Sequence, residues 1–350
     1  GQTGRLRYRI AAEPLGFAGA VNQGLRMSVG ETILFLNNDT VVTERWLGNL
    51  LACLRTDPER RLVGPVTNYI SGVQRIDTDY GHDLAAMHRF AAQYNRSDPS
   101  RWEETERLTG FCVLMHRTAL QRIGFLDEGF REGNLEDDDY GMRARLLGMG
   151  LWVAKDTFIH HVGSASMKSL GEEQLQAVNA HNAAYYGEKW AHAGALVHAV
   201  RQAAGDRLLS STELYPTHVL IRASGGRLYW LEGGVRYRIP PMERYAAAVP
   251  LLMLRGIPYG GELALEDWTA RFGAVEYGAA GLAPGVLVGD EAGAVYQFDG
   301  RALRRFAGPQ AIDAWGLRDR NVFRLALEEL RQFPEGLPIL APETIVAGNL

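Results

Sequence analysis

The chain has 350 residues, of which 46% are hydrophobic and 22% charged, and a net charge of −4. That balance excludes a mostly disordered protein, and the mild acidity argues against one built to clamp nucleic acid. The length accommodates two domains.

Residues 1–200 alternate strand and helix patterns, which predicts an α/β fold around a largely parallel sheet. Segment 6–10 reads as a strand. Residues 18–29 read as a helix with Ala18, Val21 and Leu25 at helical spacing, and 32–36 as a buried strand. Helical period returns over 44–55 through Trp46, Leu47, Leu50, Leu51 and Leu54, until Asp57-Pro58 ends it. A strand follows at 62–66, then irregular sequence to about residue 83. Beyond it the pattern predicts a strand at 111–116, a short helix at 118–123 and a helix at 135–147 that opens with acids. Strands at 151–154 and 158–161 come next, then a long helix from 172 to 190 or beyond.

A linker is expected at 201–216, followed by a second domain at 217–350. There Gly226-Arg227-Leu228-Tyr229-Trp230-Leu231-Glu232-Gly233 is echoed by Gly293-Ala294-Val295-Tyr296-Gln297-Phe298-Asp299-Gly300. Each copy reads as a β-hairpin, so two related α+β units are expected, at about 217–283 and 284–350. This half holds no acid/histidine cluster. Its aromatic residues Tyr229, Trp230, Tyr237 and Tyr296 are expected in the cores of the units more than on a sugar-stacking surface.

Cys53 and Cys112 lack Cys-x-x-Cys spacing, which supports neither a disulfide framework nor a thiolate metal site and points to a reducing compartment. The longest apolar run, 245–254, is too short to span a bilayer, and the first residues do not read as a secretory signal.

Four features of the first half carry chemistry. Gly16-Phe17-Ala18-Gly19-Ala20-Val21-Asn22 is a glycine-bearing entry to a helix whose N-terminus favours anions; a plain tight loop competes with that reading. Asn37-Asn38-Asp39 ends a buried strand, and an acid at a sheet's carboxyl edge can hold Mg²⁺ or Mn²⁺ against a diphosphate, or simply close a turn. Glu136-Asp137-Asp138-Asp139 opens a helix; four successive acids exceed what capping needs, and only one or two can face a ligand. No EF-hand fits, because no Glu stands twelve positions on. His160-His161 sits on a strand, so one imidazole at most can join Asp39 on a metal.

In this order, together with Gly124-Phe125-Leu126-Asp127-Glu128-Gly129-Phe130, these motifs make residues 5–190 resemble family 2 glycosyltransferases of the GT-A fold. The acid run and late histidine are most similar to the rhamnosyl- and galactofuranosyltransferase-like members. The resemblance implies a GT-A, Rossmann-like sheet in 1–200 that lacks the family's first β–α elements, so the chain reads as a piece of a longer protein with weak nucleotide affinity. It implies Asp137 as catalytic base, with Glu136 shaping the acceptor pocket. Asn37, Asn38, Asp39, Gly19 and Asn22 fall on the donor side. Gly110, Phe111 and Asp139 fall on the acceptor side. Asp39 and His160, with His161 as the fallback, would hold Mn²⁺ or Mg²⁺. A nucleotide-sugar donor, a glycan or lipid-linked acceptor and an inverting transfer in bacterial envelope polysaccharide synthesis follow from the same resemblance. So does a cytoplasmic setting, with peripheral membrane association as an option. Two other readings stand beside it: a non-catalytic carbohydrate-binding protein on a degenerate transferase fold, and a metal-dependent hydrolase.

Overall fold

A computed structural model describes residues 6–163, 171–191, 193–223, 225–277, 282–291 and 293–346. It divides into two compact units, Gly1–Ala183 and Ala184–Leu350. The division falls at 183/184, upstream of the linker expected at 201–216. That stretch is not a loose tether: Leu209 and Leu214 are fully buried, and Ser210 with Glu213 forms a capping box on a short 3₁₀ turn.

In the first unit the elements follow as α1 (Gly16–Met27), β1 (Thr32–Leu36), β2 (Thr40–Val41), α2 (Trp46–Arg55), β3 (Arg61–Val66), α3 (Leu84–Tyr94), β4 (Trp102–Thr105), β5 (Cys112–His116), α4 (Arg117–Ile123), α5 (Glu136–Leu146), β6 (Gly150–Phe158) and β7 (His160–His161), and α6 (Glu172–Lys189) begins in it and continues past residue 183. The main sheet has the order β1-β5-β3-β6-β4. β5 runs antiparallel to β1 and β3, and β4 antiparallel to β6, so β1, β3 and β6 share one direction. The sheet is therefore mixed, with β5 reversed inside it.

Strand alternation sorts the two faces. Leu34, Leu114 and Cys112 pack with Leu50, Cys53 and Leu54 of α2. Phe35, one residue on from Leu34, instead meets Tyr140 of α5 edge-to-face at 5.8 Å. Helices thus cover both faces, and the carboxyl ends of β1, β3 and β6 form one open edge, the usual ligand edge of such sheets.

Several expectations need correction. Segment 6–10 is not a strand; Leu6, Tyr8 and Ile10 stand exposed on irregular backbone. The two strands expected at 151–161 become the nine-residue β6 and the short β7. Helix α3, capped by the Asp83 carboxylate accepting from the Ala85 amide, and edge strand β4 were not anticipated. Residues 1–5, at the start of the resemblance, lie outside the described residues.

In the second unit β8 (Val219–Ala223), β9 (Leu228–Glu232), β10 (Val235–Arg238), β11 (Ala247–Val249) and β12 (Tyr259–Glu262) form a sheet ordered β11-β8-β9-β10-β12. β13 (Leu287–Gly289), β14 (Val295–Phe298), β15 (Leu303–Arg305) and β16 (Val322–Arg324) form another, ordered β15-β14-β13-β16. The connectivity matches: an antiparallel three-strand meander, then a fourth strand returning parallel to the first. Even the parallel β10–β12 pairing has a counterpart in bridges from Leu303 to Glu335 and from Phe306 to Ile339. The first hairpin turns on Gly233 and Gly234, both at positive φ, the geometry of a two-residue turn that follows strand twist. Tyr229 and Trp230 are buried in the core of the first sheet.

Candidate active site

β1 delivers the chain to a turn at 37–39, fixed by the Asn37 amide donating to the Phe111 carbonyl (2.8 Å) and by the Thr40 hydroxyl donating back to the Asn37 carbonyl (2.7 Å). Immediately after it, β2 pairs antiparallel with β7, Thr40 opposite His161 and Val41 opposite His160. That register places the Asp39 carboxylate against the later histidine. Oδ1 of Asp39 lies 3.1 Å from Nε2 of His161, and the Val162 amide donates to the Asp39 carbonyl.

The His161 ring is held on every side. Nδ1 faces the Tyr69 carbonyl at 2.8 Å, the Asn68 side chain brackets the His161 backbone with two hydrogen bonds, and the imidazole stacks on Phe111 at 5.2 Å and 17°. A carbonyl only accepts, so Nδ1 carries the proton. In the neutral ring Nε2 then presents a lone pair to a carboxylate oxygen. Two acceptors facing each other need a proton or a cation between them. His160, expected to be the metal partner, turns the other way: its Nδ1 bonds the Tyr80 hydroxyl at 2.8 Å, and burial pulls its pKa down. Alternation along β7 is the physical reason, and the geometry favours His161.

The acids enter from α5. Three non-glycine residues with positive φ, Glu132, Asn134 and Leu135, crowd the loop before it. Such conformations cost free energy and persist only where the surroundings over-determine them. The over-determining residue is Asn182 of α6, fully buried. Its amide oxygen accepts from the Arg131 amide, and its Nδ2 donates to the carbonyls of Arg131, Gly133 and Asn134.

Asp137, first turn of α5, accepts the Gly110 amide at 2.8 Å on Oδ2 and the Asp138 amide on Oδ1. Burial and the neighbouring Asp138 push its pKa up, against the opposing pull of the Gly110 amide and the Arg107 guanidinium. Arg107 is tied to Asp138 and to the Ser71 hydroxyl. Glu136 is buried, and among the described residues its Oε2 has no hydrogen-bond partner. Burial, followed by the Asp137 charge, lifts its pKa to about 8.

Asp39 and Asp137 therefore meet through a short relay: Asp39 against His161, His161 on Phe111, and Gly110, next in the chain, on Asp137. Other expected site residues stand elsewhere. Asp139 is fully buried and ion-paired with Arg143, which also donates to the Ile123 carbonyl, so it serves packing and not an acceptor. Asn22 is buried and spends its amide on Leu126 and Glu128, while Gly19 is buried in α1, so neither lines a donor cleft. Asn38 is exposed. Sequence reasoning missed Tyr69, Gln74, Arg107 and Asn182. Gln74 is the most concealed, with its Oε1 accepting the Thr109 amide and its Nε2 donating to the Pro65 carbonyl. That fit requires a glycine at 64, where a Cβ would lie 2.7 Å from the Gln74 amide nitrogen.

Residues 2–124 match the family model described as Glycosyl transferase family 2. The matched segment contains Asp39, Gly110 and Phe111, whereas Asp137 and His161 lie beyond it. The uncharacterised proteins Mb1552 of Mycobacterium bovis and Rv1525 of Mycobacterium tuberculosis are each 27% identical over 165 residues, 46% of this chain. The chain spans 59% of the length of these relatives. The O-antigen biosynthesis protein RfbC of Myxococcus xanthus is 29% identical over 164 residues, 13% of its own length. A solved structure titled as GalNAc-T7 with UDP, GalNAc and Mn²⁺ is 15% identical, covering 43% of this chain and 31% of its own at a TM-score of 0.34. Among the described residues no helix is long and apolar enough to cross a membrane.

Proposed function

We propose that the chain is a glycosyltransferase that moves a sugar from a nucleotide-diphosphate donor to a hydroxyl of a glycan or lipid-linked acceptor, with inversion, in the synthesis of an envelope polysaccharide. The relay from Asp39 through His161 and Phe111 to Gly110 and Asp137 carries this reading, because it sets a diphosphate-side carboxylate and a base-side carboxylate on one sheet edge. The family 2 match and the similarity to RfbC support the reaction class.

Asp137 is the base. Burial and the Asp138 charge raise its affinity for a proton, and the Gly110 amide orients its carboxylate for an incoming hydroxyl. Burial favours the neutral form of Glu136, which shapes the acceptor side from its place beside Asp137. Asp39 and His161 fit a divalent cation: a carboxylate oxygen and an imidazole lone pair face one another from 3.1 Å, with the tautomer fixed by the Tyr69 carbonyl. Among the described residues no third carboxylate, imidazole or thiolate joins them, which leaves further coordination to diphosphate oxygens and water. A bound Mn²⁺ or Mg²⁺ would offset charge growing on the leaving diphosphate. The second unit is proposed as an accessory module of two related sheets that binds or spaces. Asp137→Asn tests the reading: it should abolish donor-dependent transfer while nucleotide binding persists, and loss of nucleotide binding with it would refute the assignment.

A further inference from the structure

The loop 67–76 has two sides. Asn68 and Tyr69 hold His161, whereas Val73 and Arg75 line a separate groove of about 520 Å³ at the carboxyl ends of β3 and β6. That volume is in the range of a site for a small ligand or a sugar unit. Its charged walls are Arg75, Arg101 and Lys155 against Glu103, which is paired with Lys155. Arg101 is already engaged, donating to the Lys155 carbonyl beside the Asp98 carboxylate, so the charge left over is that of Arg75. Arg75 is exposed, and among the described residues its guanidinium has no hydrogen-bond or ion-pair partner.

The groove also has a fixed aromatic wall. The Trp102 indole donates to Oδ2 of Asp156 at 2.9 Å, and Asp156 is fully buried, with its Oδ2 also taking the Asp98 amide and its Oδ1 the Thr157 hydroxyl. The Arg101 guanidinium lies over the Tyr94 ring at 4.5 Å. A ring held by a buried carboxylate loses little freedom on binding, which suits a stacking surface.

Resting on the transferase reading, we propose that this groove is the acceptor subsite for an anionic sugar unit, a ring bearing a carboxylate or a phosphate. The ring packs on Trp102, and the charge meets Arg75 with Arg101 behind it. A neutral sugar would leave Arg75 unused. Because loop 67–76 borders both the groove and His161, a unit seated here lies on the same sheet edge as Asp137.

Saturation-transfer NMR on the whole chain, without donor, tests this with four probes: glucuronic acid, glucose 1-phosphate, glucose and inorganic phosphate. The first two should bind about tenfold more tightly than glucose, and Arg75→Glu should remove that advantage. Arg75→Ala should weaken it in the same direction, and Asp137→Asn should leave it intact. Equal response from glucose, a response from inorganic phosphate matching glucose 1-phosphate, or undiminished binding to Arg75→Glu would each overturn the proposal. The transferase reading is judged separately, by turnover of Asp137→Asn, so either can fail alone.

Discussion

The amide of Gly110 donates to Oδ2 of Asp137 from 2.8 Å, and no side chain fits between them. A Cβ on residue 110 would sit 3.2 Å from the Asp137 Cβ and 3.1 Å from Cζ of Phe17. Gly110→Ala should therefore push the carboxylate off its line by a few tenths of an ångström without touching the Asp39 turn. We expect turnover to fall about tenfold or more while nucleotide affinity changes less than about twofold. Steady-state kinetics beside calorimetric nucleotide titration checks this, and an unaltered kcat would remove the orienting role of residue 110.

His161 and Asp39 should behave as a unit toward Mn²⁺ alone. Replacing either by alanine deletes one of two facing donors, so Mn²⁺ affinity measured by electron paramagnetic resonance should drop about tenfold or more. His160→Ala should leave it unchanged, since that ring bonds Tyr80 instead. Equal losses at 160 and 161 would contradict the assignment made from ring orientation.

The elements that carry this site were legible in the sequence, for local reasons. β1 and α5 announce themselves through an aliphatic run and through an acid-rich start closed by glycine. Helix α3 escaped although the two residues it buries, Met87 and Ala91, stand one helical turn apart. Strand β4 escaped because an edge strand written Trp-Glu-Glu-Thr exposes its glutamates. Segment 6–10 misled by alternating apolar residues that find no strand partner among the described residues. The choice between His160 and His161 depends on the phase of β7, which is set by pairing with β2 some 120 residues away. No local pattern encodes that phase. Asn182 was invisible for the same reason, since its partners lie about 50 residues upstream.

Asn182→Ala should uncouple stability from chemistry in a readable way. It strips partners from the Arg131 amide and from three carbonyls in a loop already held at positive φ. The loop groups it serves are only part-buried, so denaturant titration should show a loss of about 1 kcal/mol, near the net worth of one hydrogen bond. Relaxation of the loop should also lower kcat more than it raises the donor KM. Asn182→Asp restores the acceptor but not the donor, so it should fail to rescue. Full activity in Asn182→Asp would show that the three carbonyl contacts do not position α5.

Glu136 makes folding itself sensitive to pH. In the folded chain burial and the adjacent Asp137 hold its pKa at about 8, against 4.5 for the free side chain. Between those values the unfolded chain has released a proton that the folded chain keeps, so raising the pH favours unfolding. The contribution is complete below pH about 4.5 and gone above about 8. Glu136→Gln keeps the shape and removes the ionisation. Its urea midpoint should exceed that of the parent increasingly as pH rises from about 5 to about 8, then run parallel. Asp137, whose pKa is raised in the same direction, adds to the parent's slope, so the comparison is best repeated in an Asp137→Asn background. Parallel profiles across the whole interval would mean that the Glu136 carboxylate ionises in the folded protein without penalty, and the neutral form assigned to it on the acceptor side would have to be given up.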